Sequence, residues 1–376
     1  MARSLSDAQV RRLHLSAQRL HPRQAQSVSS AAQVLKDICG VQAQDAQAAI
    51  LAVRVRSAGL TASGVERARL QERSVVRTWC MRGTLHLLAA EDVGWLLSLF
   101  GPIFANANRR RRAQLGLDDD ASAKGVRVIR DALAKQGPLT RAEIAKALAR
   151  RGIPAEGQAT IHLIYLAALQ GIVCQGPDRG RQPTHILLKD WIDLEPALPA
   201  NAARAELARR YLLAYGPAGP DDLAHWSGLP IGEMRAAWQS IAGELIEVNA
   251  AGRPAWMHKR HAAWLGRPAA RSPIVRLLPS FDTYLLGYRD RSLALSPEHA
   301  KRIHPGGGII HPALTADGRV LGTWRSQRRR DGIEVIVEPF EALALTVLRG
   351  IETEVADLAR FLDRKATLSV LSKISE

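Results

Sequence analysis

Apolar positions along the chain recur in one order: short helical stripes, a longer helical segment, then a pair of strands. Near the start, Val10, Leu13 and Ala17 follow a Ser6-Asp7 cap, the spacing of an amphipathic helix. Val28, Ala31, Leu35 and Ile38 form the next stripe, and Ala46, Ala49, Ile50 and Val53 another at i, i+3, i+4, i+7. A short segment over 65–70 leads into Val75 to Leu88, apolar, rich in β-branched residues and broken at Gly83, which predicts paired strands.

The order then repeats twice. Val126 to Gln136 reads as a helix stopped by Gly137-Pro138, and Thr140 with Glu143 as a capping box opening a helix through Arg150. Ala159 to Gln170 is a third helix. Strands at Ile172 to Cys174 and His185 to Leu188 flank a turn that carries Arg179 and Arg181, where a wing would touch a DNA backbone. Further on, a helix from Arg204 through Tyr215, Asp221 to Trp226, Ile231 to Ile241 and strands near Leu245-Val248 and Trp256-His258 give the same series. The last region differs: Ile274 to Leu286, Ile309-Ile310, Arg319 to Arg325 and Ile333 to Val337 read as strands between Gly-rich turns, and Ala356 to Leu362 as a closing helix. The expected fold class is α+β, with three tandem winged-helix domains and a C-terminal β-rich, barrel-like element. The segments are 1–120, 121–200, 201–268 and 269–376.

Charge sharpens the expectation of a partner. Lys plus Arg number 52 against 36 Asp plus Glu, giving +16 and a pI near 10.5. Only nine of the 52 are Lys, as an Arg-rich genome would produce, but base composition does not remove acids. An excess of this size favours a polyanion through neutralised phosphates and released counterions. Cys39, Cys80 and Cys174 form no CxxC pair and lie among apolar residues, so a reducing compartment is expected and a disulfide framework is not. The N-terminus carries arginines without an apolar signal core, and no apolar run approaches a membrane span. A cytoplasmic, nucleoid-associated protein is expected.

Common enzyme motifs are missing. The chain has no GxxxxGK[ST] loop, no HExxH and no GxSxG, and Gly306 to Gly308 reads as a flexible hairpin turn. His258 and His261 sit one helical turn apart in a basic stretch without an acid nearby in sequence, so no metal or cofactor is expected. The stretch Val41-Gln42-Ala43-Gln44-Asp45 falls at the start of a helix. In extended chain its two glutamines project to one side, with Ala43 turned away, and the helix start adds a positive field. On these grounds alone, Gln at a helix start is ordinary surface.

Gln42-Ala43-Gln44 before a helix, followed by Thr78-Trp79-Cys80-Met81-Arg82-Gly83-Thr84-Leu85-His86, resembles the winged-helix DNA glycosylase family of AlkZ and YcaQ. The run from Leu278 to Arg291, containing Pro279-Ser280-Phe281-Asp282-Thr283-Tyr284, and Gly322-Thr323-Trp324-Arg325 are similar to it as well. These blocks lie in order from about residue 4 to 363. The resemblance implies three tandem winged helices plus a β-barrel-like element forming a concave surface around duplex DNA. It implies that Gln42 and Gln44 are the catalytic pair, in the Gln-Gln form of the AlkZ branch rather than the Gln-Asp form of the YcaQ branch. It also implies, more distantly, unhooking of interstrand crosslinks.

The chemistry of a Gln pair can be argued separately. A neutral amide has no useful basicity near neutral pH, yet its carbonyl accepts a hydrogen bond from water and holds it against the sugar C1′. The carbonyl dipoles also favour an oxocarbenium-like sugar. That suffices only for a base that already leaves easily, such as an N7- or N3-alkylated purine carrying positive charge. With no Lys placed by the motif as a Schiff-base nucleophile, a monofunctional DNA glycosylase is expected; its expected partner is double-stranded DNA with alkylated purines, and its expected state a monomer. The alternative is a non-enzymatic winged-helix regulator or architectural protein, for which a catalytic pair has no use.

Further residues are candidates for DNA contact. If one strand runs through Gly83, Arg82, Thr84 and His86 share a face, with Arg82 on a phosphate and His86 near the lesion; a strand-edge Arg and a core His is the equal alternative. Arg77 on the same hairpin joins them. Asp282 either orients a catalytic group or water, or is the buried partner of an Arg. Four arginines among residues 325–330, Arg325 and Arg328 included, suit a phosphate-binding loop. The hairpin from His304 to Pro312 presents Ile309, Ile310 and His311 to a groove, with Ile309 or Ile310 as a wedge between base steps.

Overall fold

Ser6 opens the first helix by reciprocal capping: its Oγ accepts from the Gln9 amide at 3.4 Å, and the Gln9 side chain accepts from the Ser6 amide at 2.8 Å. In the computed structural model, which describes residues 2–21, 30–195, 197–250, 252–268, 270 and 272–371, this helix is α1 (Asp7–Ala17), preceded by β1 (Arg3–Leu5). Next come α2 (Ala31–Asp37), β2 (Val41–Gln42), α3 (Ala46–Arg54) and α4 (Ala62–Leu70). Val28, expected in the α2 stripe, lies outside the described residues. The antiparallel hairpin of β3 (Val75–Trp79) and β4 (Leu85–Ala89) follows, Val75 facing Ala89 and Trp79 facing Leu85. The chain divides into two compact units, one of Met1–Glu66 with Ala205–Glu376, the other of Arg67–Arg204.

In the second unit, α5 (Ala90–Ala107) has no counterpart in the sequence reading. Its apolar residues run almost continuously and carry no single-face period, which conceals a helix buried on several sides. After it come α6 (Arg109–Gln114), α7 (Asp119–Gln136), β5 (Leu139–Thr140), α8 (Arg141–Ala149) and α9 (Ala159–Leu169). A hairpin of β6 (Val173–Gln175) and β7 (Thr184–Leu187) closes the series, with strand order β5-β7-β6. The Thr140 capping box forms as expected, with the Thr140 amide donating to Glu143 Oε2 at 2.8 Å. Ile129, Leu133, Ile144, Leu148, Leu163, Ile164 and Val173 build the core of this unit.

In the first unit the helix–hairpin order recurs as α10 (Ala200–Tyr215, its first residues in the second unit), α11 (Pro220–Ser227), α12 (Ile231–Ser240), β8 (Leu245–Ala250) and β9 (Arg253–His258). Its sheet gains a strand from far away in sequence: β1 pairs in parallel with β8, Arg3 opposite Val248.

The C-terminal region departs most from expectation. Only β10 (Val275–Leu278) of the stretch 274–286 is strand; the chain then turns at Phe281, φ 57°, into α13 (Thr283–Leu286). The cause is Asp282, whose carboxylate caps that helix by accepting from the Tyr284 amide at 2.9 Å. Beyond α14 (Ala300–Ile303), Ile309-Ile310 is a loop with a single bridge from Gly306 to Ile309, and the strand is β11 (Ala313–Ala316). The remaining elements are β12 (Arg319–Arg329), β13 (Gly332–Pro339), α15 (Leu345–Leu362) and β14 (Lys365–Val370). The strands form an open sheet, β10-β11-β12-β13-β14, with β14 parallel to β13. Among the described residues β10 and β14 are its edges, so the barrel-like expectation is corrected. α15 takes the place of closure: it packs on β10, and a Cβ on Gly350 would come within 2.4 Å of Val275 Cγ2.

Candidate active site

The segment carrying the two glutamines is shaped by what precedes it. α2 ends in two successive left-handed residues, Cys39 (φ 56°) and Gly40 (φ 86°), and the Gly40 amide reaches back to the Leu35 carbonyl at 2.8 Å. This reversal feeds the chain into β2. Ala43 is fully buried, Gln42 is 8% exposed and Gln44 is exposed. The helix start follows at once: Asp45 Oδ1 accepts from the amides of Gln47 and Ala48 at 2.9 and 3.0 Å, capping α3.

The other end of α3 is held by buried charge within the same unit. Arg54, wholly buried, donates to Glu354 Oε2 at 3.0 Å, Asp357 Oδ2 at 2.9 Å and the Leu277 carbonyl at 3.1 Å. Arg56, also buried, meets Asp282 in a two-pronged pair at 2.6 and 2.8 Å and donates to Thr283 Oγ1 and the Ala52 carbonyl. Asp282 is 0% exposed, so of its two expected roles the structure favours the buried partner of an Arg. Tyr215 Oη donates to the Ile38 carbonyl at 3.0 Å and supports the end of α2. Sequence reasoning missed Arg54, Arg56 and Tyr215. Two arginines in the otherwise apolar Leu51-Ala52-Val53-Arg54-Val55-Arg56 were the available signal, because charge on a helix face inside a core requires a partner.

The β3–β4 hairpin corrects another expectation. The chain does not run straight through Gly83: Met81–Gly83 is a 3-10 turn with Arg82 at φ 53°, so Arg82, Thr84 and His86 do not share a strand face. A side chain on Gly83, itself at φ 65°, would sit 2.4 Å from the Tyr165 hydroxyl, so glycine is required at this turn. His86 is 2% exposed, its Nδ1 lies 3.0 Å from the Thr84 carbonyl, and burial with the nearby Arg82 charge pushes its pKa down to about 3. A neutral core histidine is the result, not a group facing DNA. Arg77 and Arg82 are half-buried.

Arg179 and Arg181 are exposed at the turn between β6 and β7, Arg179 bonded to Glu143 at 2.6 Å and to the Pro138 carbonyl at 2.8 Å. The hairpin over 304–312 presents Ile309, 44% exposed, and His311, while Ile310 is 1% exposed and packs with Leu278, Leu285 and Ile303. Ile310 is therefore no wedge; beyond the three glycines Gly306, Gly307 and Gly308, all at positive φ, Ile309 is the one of the two isoleucines that faces out. Arg325 and Arg328 are exposed, but on strand β12 rather than in a loop. His258 does meet an acid: its Nε2 lies 3.1 Å from Glu244, fourteen positions earlier in the chain, which Arg209 holds at 2.8 Å. All three cysteines are buried, and none forms a disulfide among the described residues. No described helix is long and apolar enough to cross a membrane.

Helix–hairpin modules in a strongly basic chain are the framework of a nucleic-acid-binding protein, and comparison with known proteins makes its class a DNA glycosylase. The chain belongs to the AlkZ-like DNA glycosylase family, whose model matches residues 35–361. It is 32% identical over 355 residues to an interstrand DNA cross-link repair glycosylase of Streptomyces sahachiroi, covering 88% of this chain and 90% of that protein. The solved structure of the Streptomyces sahachiroi DNA glycosylase AlkZ superposes with a TM-score of 0.82 at 29% identity, covering 98% of this chain and all of that one. Membership of this family sets aside a purely regulatory role.

Proposed function

We propose that this DNA glycosylase hydrolyses the N-glycosidic bond of N7- or N3-alkylated purines, and that Gln42 and Gln44 carry the reaction. Support comes chiefly from Gln42-Ala43-Gln44 itself, with Ala43 buried and Gln44 exposed just before the cap of α3. An amide carbonyl accepts a hydrogen bond from water but takes no proton from it, so the departing base must supply the drive. The C1′–N bond breaks with its electron pair moving onto the cationic purine, which leaves neutral. Water held by the amides adds to the oxocarbenium carbon and loses its proton to solvent, leaving an abasic site. The carbonyl dipoles stabilise the positive sugar while it exists.

Because the Streptomyces sahachiroi relative is named for interstrand cross-link repair, crosslinks joined through such purine nitrogens are the second substrate. Duplex DNA is held by winged-helix modules spanning 1–120, 121–200 and 201–268 and by the β-rich region 269–376. Phosphates are met by Arg77, Arg82, Arg179, Arg181, Arg325 and Arg328, and a groove is probed by Ile309 and His311. The enzyme works as a monomer. Replacing both glutamines, Gln42→Ala with Gln44→Ala, is expected to abolish release of N7-methylguanine from duplex DNA, read as alkali-labile sites, while DNA affinity stays within about twofold. Unaltered excision by the double variant would remove the amides from the mechanism.

A further inference from the structure

In a helix–hairpin module the last helix before the hairpin is the one that enters a DNA groove. In the second unit that helix is α9, and it is covered. Nine of its eleven residues are buried, from Ala159 and Thr160 through Leu163 to Leu169. α5 lies against it at backbone distance: a Cβ on Gly101 would fall 2.1 Å from the Leu169 carbonyl oxygen. A helix walled in this way has no face to lay along base edges, so this module must hold its ligand elsewhere.

The beginning of α9 is flanked by arginines held by neutral acceptors. Arg111 donates to Gln158 Oε1 at 2.7 Å and to Gln114 Oε1 at 3.2 Å, and Arg141 donates to the Gly157 carbonyl. Arg110, exposed, is the neighbour of Arg111 on α6. Among the described residues, no carboxylate pairs with Arg110, Arg111 or Arg141, in contrast to the neighbouring Arg109, which meets Asp119. The guanidiniums of Arg111 and Arg141 are oriented while their charge remains unneutralised, the state in which an arginine suits a phosphate, and Arg110 adds an exposed charge beside them. The field reaches His162 in the first turn of α9, which is held below its usual range by burial and then by Arg111 and Arg112.

We infer that Arg110, Arg111 and Arg141 form a contact for the backbone phosphates of duplex DNA. The module then grips by charge beside the start of α9 and does not read bases with it. The inference rests on the DNA glycosylase reading, and it implies binding that is indifferent to sequence, as suits an enzyme whose target is a lesion.

The test is fluorescence anisotropy with undamaged duplexes of different sequence across a salt series. For the full chain carrying Arg110→Ala, Arg111→Ala and Arg141→Ala, affinity should fall about tenfold, equally for every sequence, and the slope of log affinity against log salt should flatten by about 2 to 3. Lysine at the same three positions should retain most of the slope. Removing the same charge elsewhere in the unit, by Arg130→Ala, Arg150→Ala and Arg151→Ala, should leave the slope near that of the wild type. Single-turnover excision at saturating enzyme should not change in the control triple. A triple alanine variant with the wild-type slope, or a control triple that loses as much, overturns the inference. Excision of N7-methylguanine by the wild type reads the underlying function separately, so the two fail in different measurements.

Discussion

Arg56 and Asp282 illustrate how single residues set the stability of the framework behind the glutamines. Both are wholly buried, and each carboxylate oxygen of Asp282 meets a guanidinium nitrogen, while one of them also caps α13. Truncating one partner leaves the other charged and buried, which costs about 3–5 kcal/mol. Asp282→Ala is expected to lower the urea midpoint accordingly; a loss below about 1 kcal/mol would mean that water reaches the arginine in the variant. The residue itself was visible in the sequence as an acid in an apolar stretch, with two roles open. Arg56 lies 226 positions away, and nothing local in either stretch names the other. The glutamines were conspicuous only as part of a motif, since composition says nothing of which surface amide sits at the head of an anchored helix.

Elements whose ends carry their own chemistry were readable. α1 begins at its Ser6 box, α8 at its Thr140 box, and α7 stops before Gly137 because these signals act over three or four residues. α5 and β14 were not readable, for different reasons. α5 is apolar on several sides because α9 covers it, which erases the period that marks a surface helix. β14 is half-exposed, and its partner β13 is reached only after α15 crosses over. The α5–α9 contact yields its own prediction. Alanine normally improves a helix-interior glycine by about 0.5–1 kcal/mol. At Gly101 the added methyl would meet the Leu169 carbonyl, so Gly101→Ala should instead destabilise by about 1–3 kcal/mol in equilibrium unfolding. A stabilised variant would mean that the two helices separate easily.

At the scale of the whole chain, histidines make stability depend on pH. Burial pushes His14, His185 and His261 down to about 4 and His86 to about 3, from an unfolded value near 6.5. Each is neutral when folded and takes up a proton when unfolded, so its contribution is complete above about pH 6.5 and is lost as pH falls toward 3 to 4. Thermal melts should show a falling Tm from pH 6.5 to 4, less steep in a His86→Gln variant. A flat profile over that window would contradict the buried, neutral assignment. The sequence by itself determined the charge, the capped helices, the repeated helix–hairpin order and the Gln-Ala-Gln motif, because each depends on residues that are neighbours in the chain or on a simple sum. Tertiary structure alone decided that β1 joins β8, that α15 covers an open sheet where a barrel was expected, that α9 is enclosed, and that His86 and Ile310 face inward. Those outcomes follow from which distant surfaces bury one another, and the free energy of that burial depends on both partners at once.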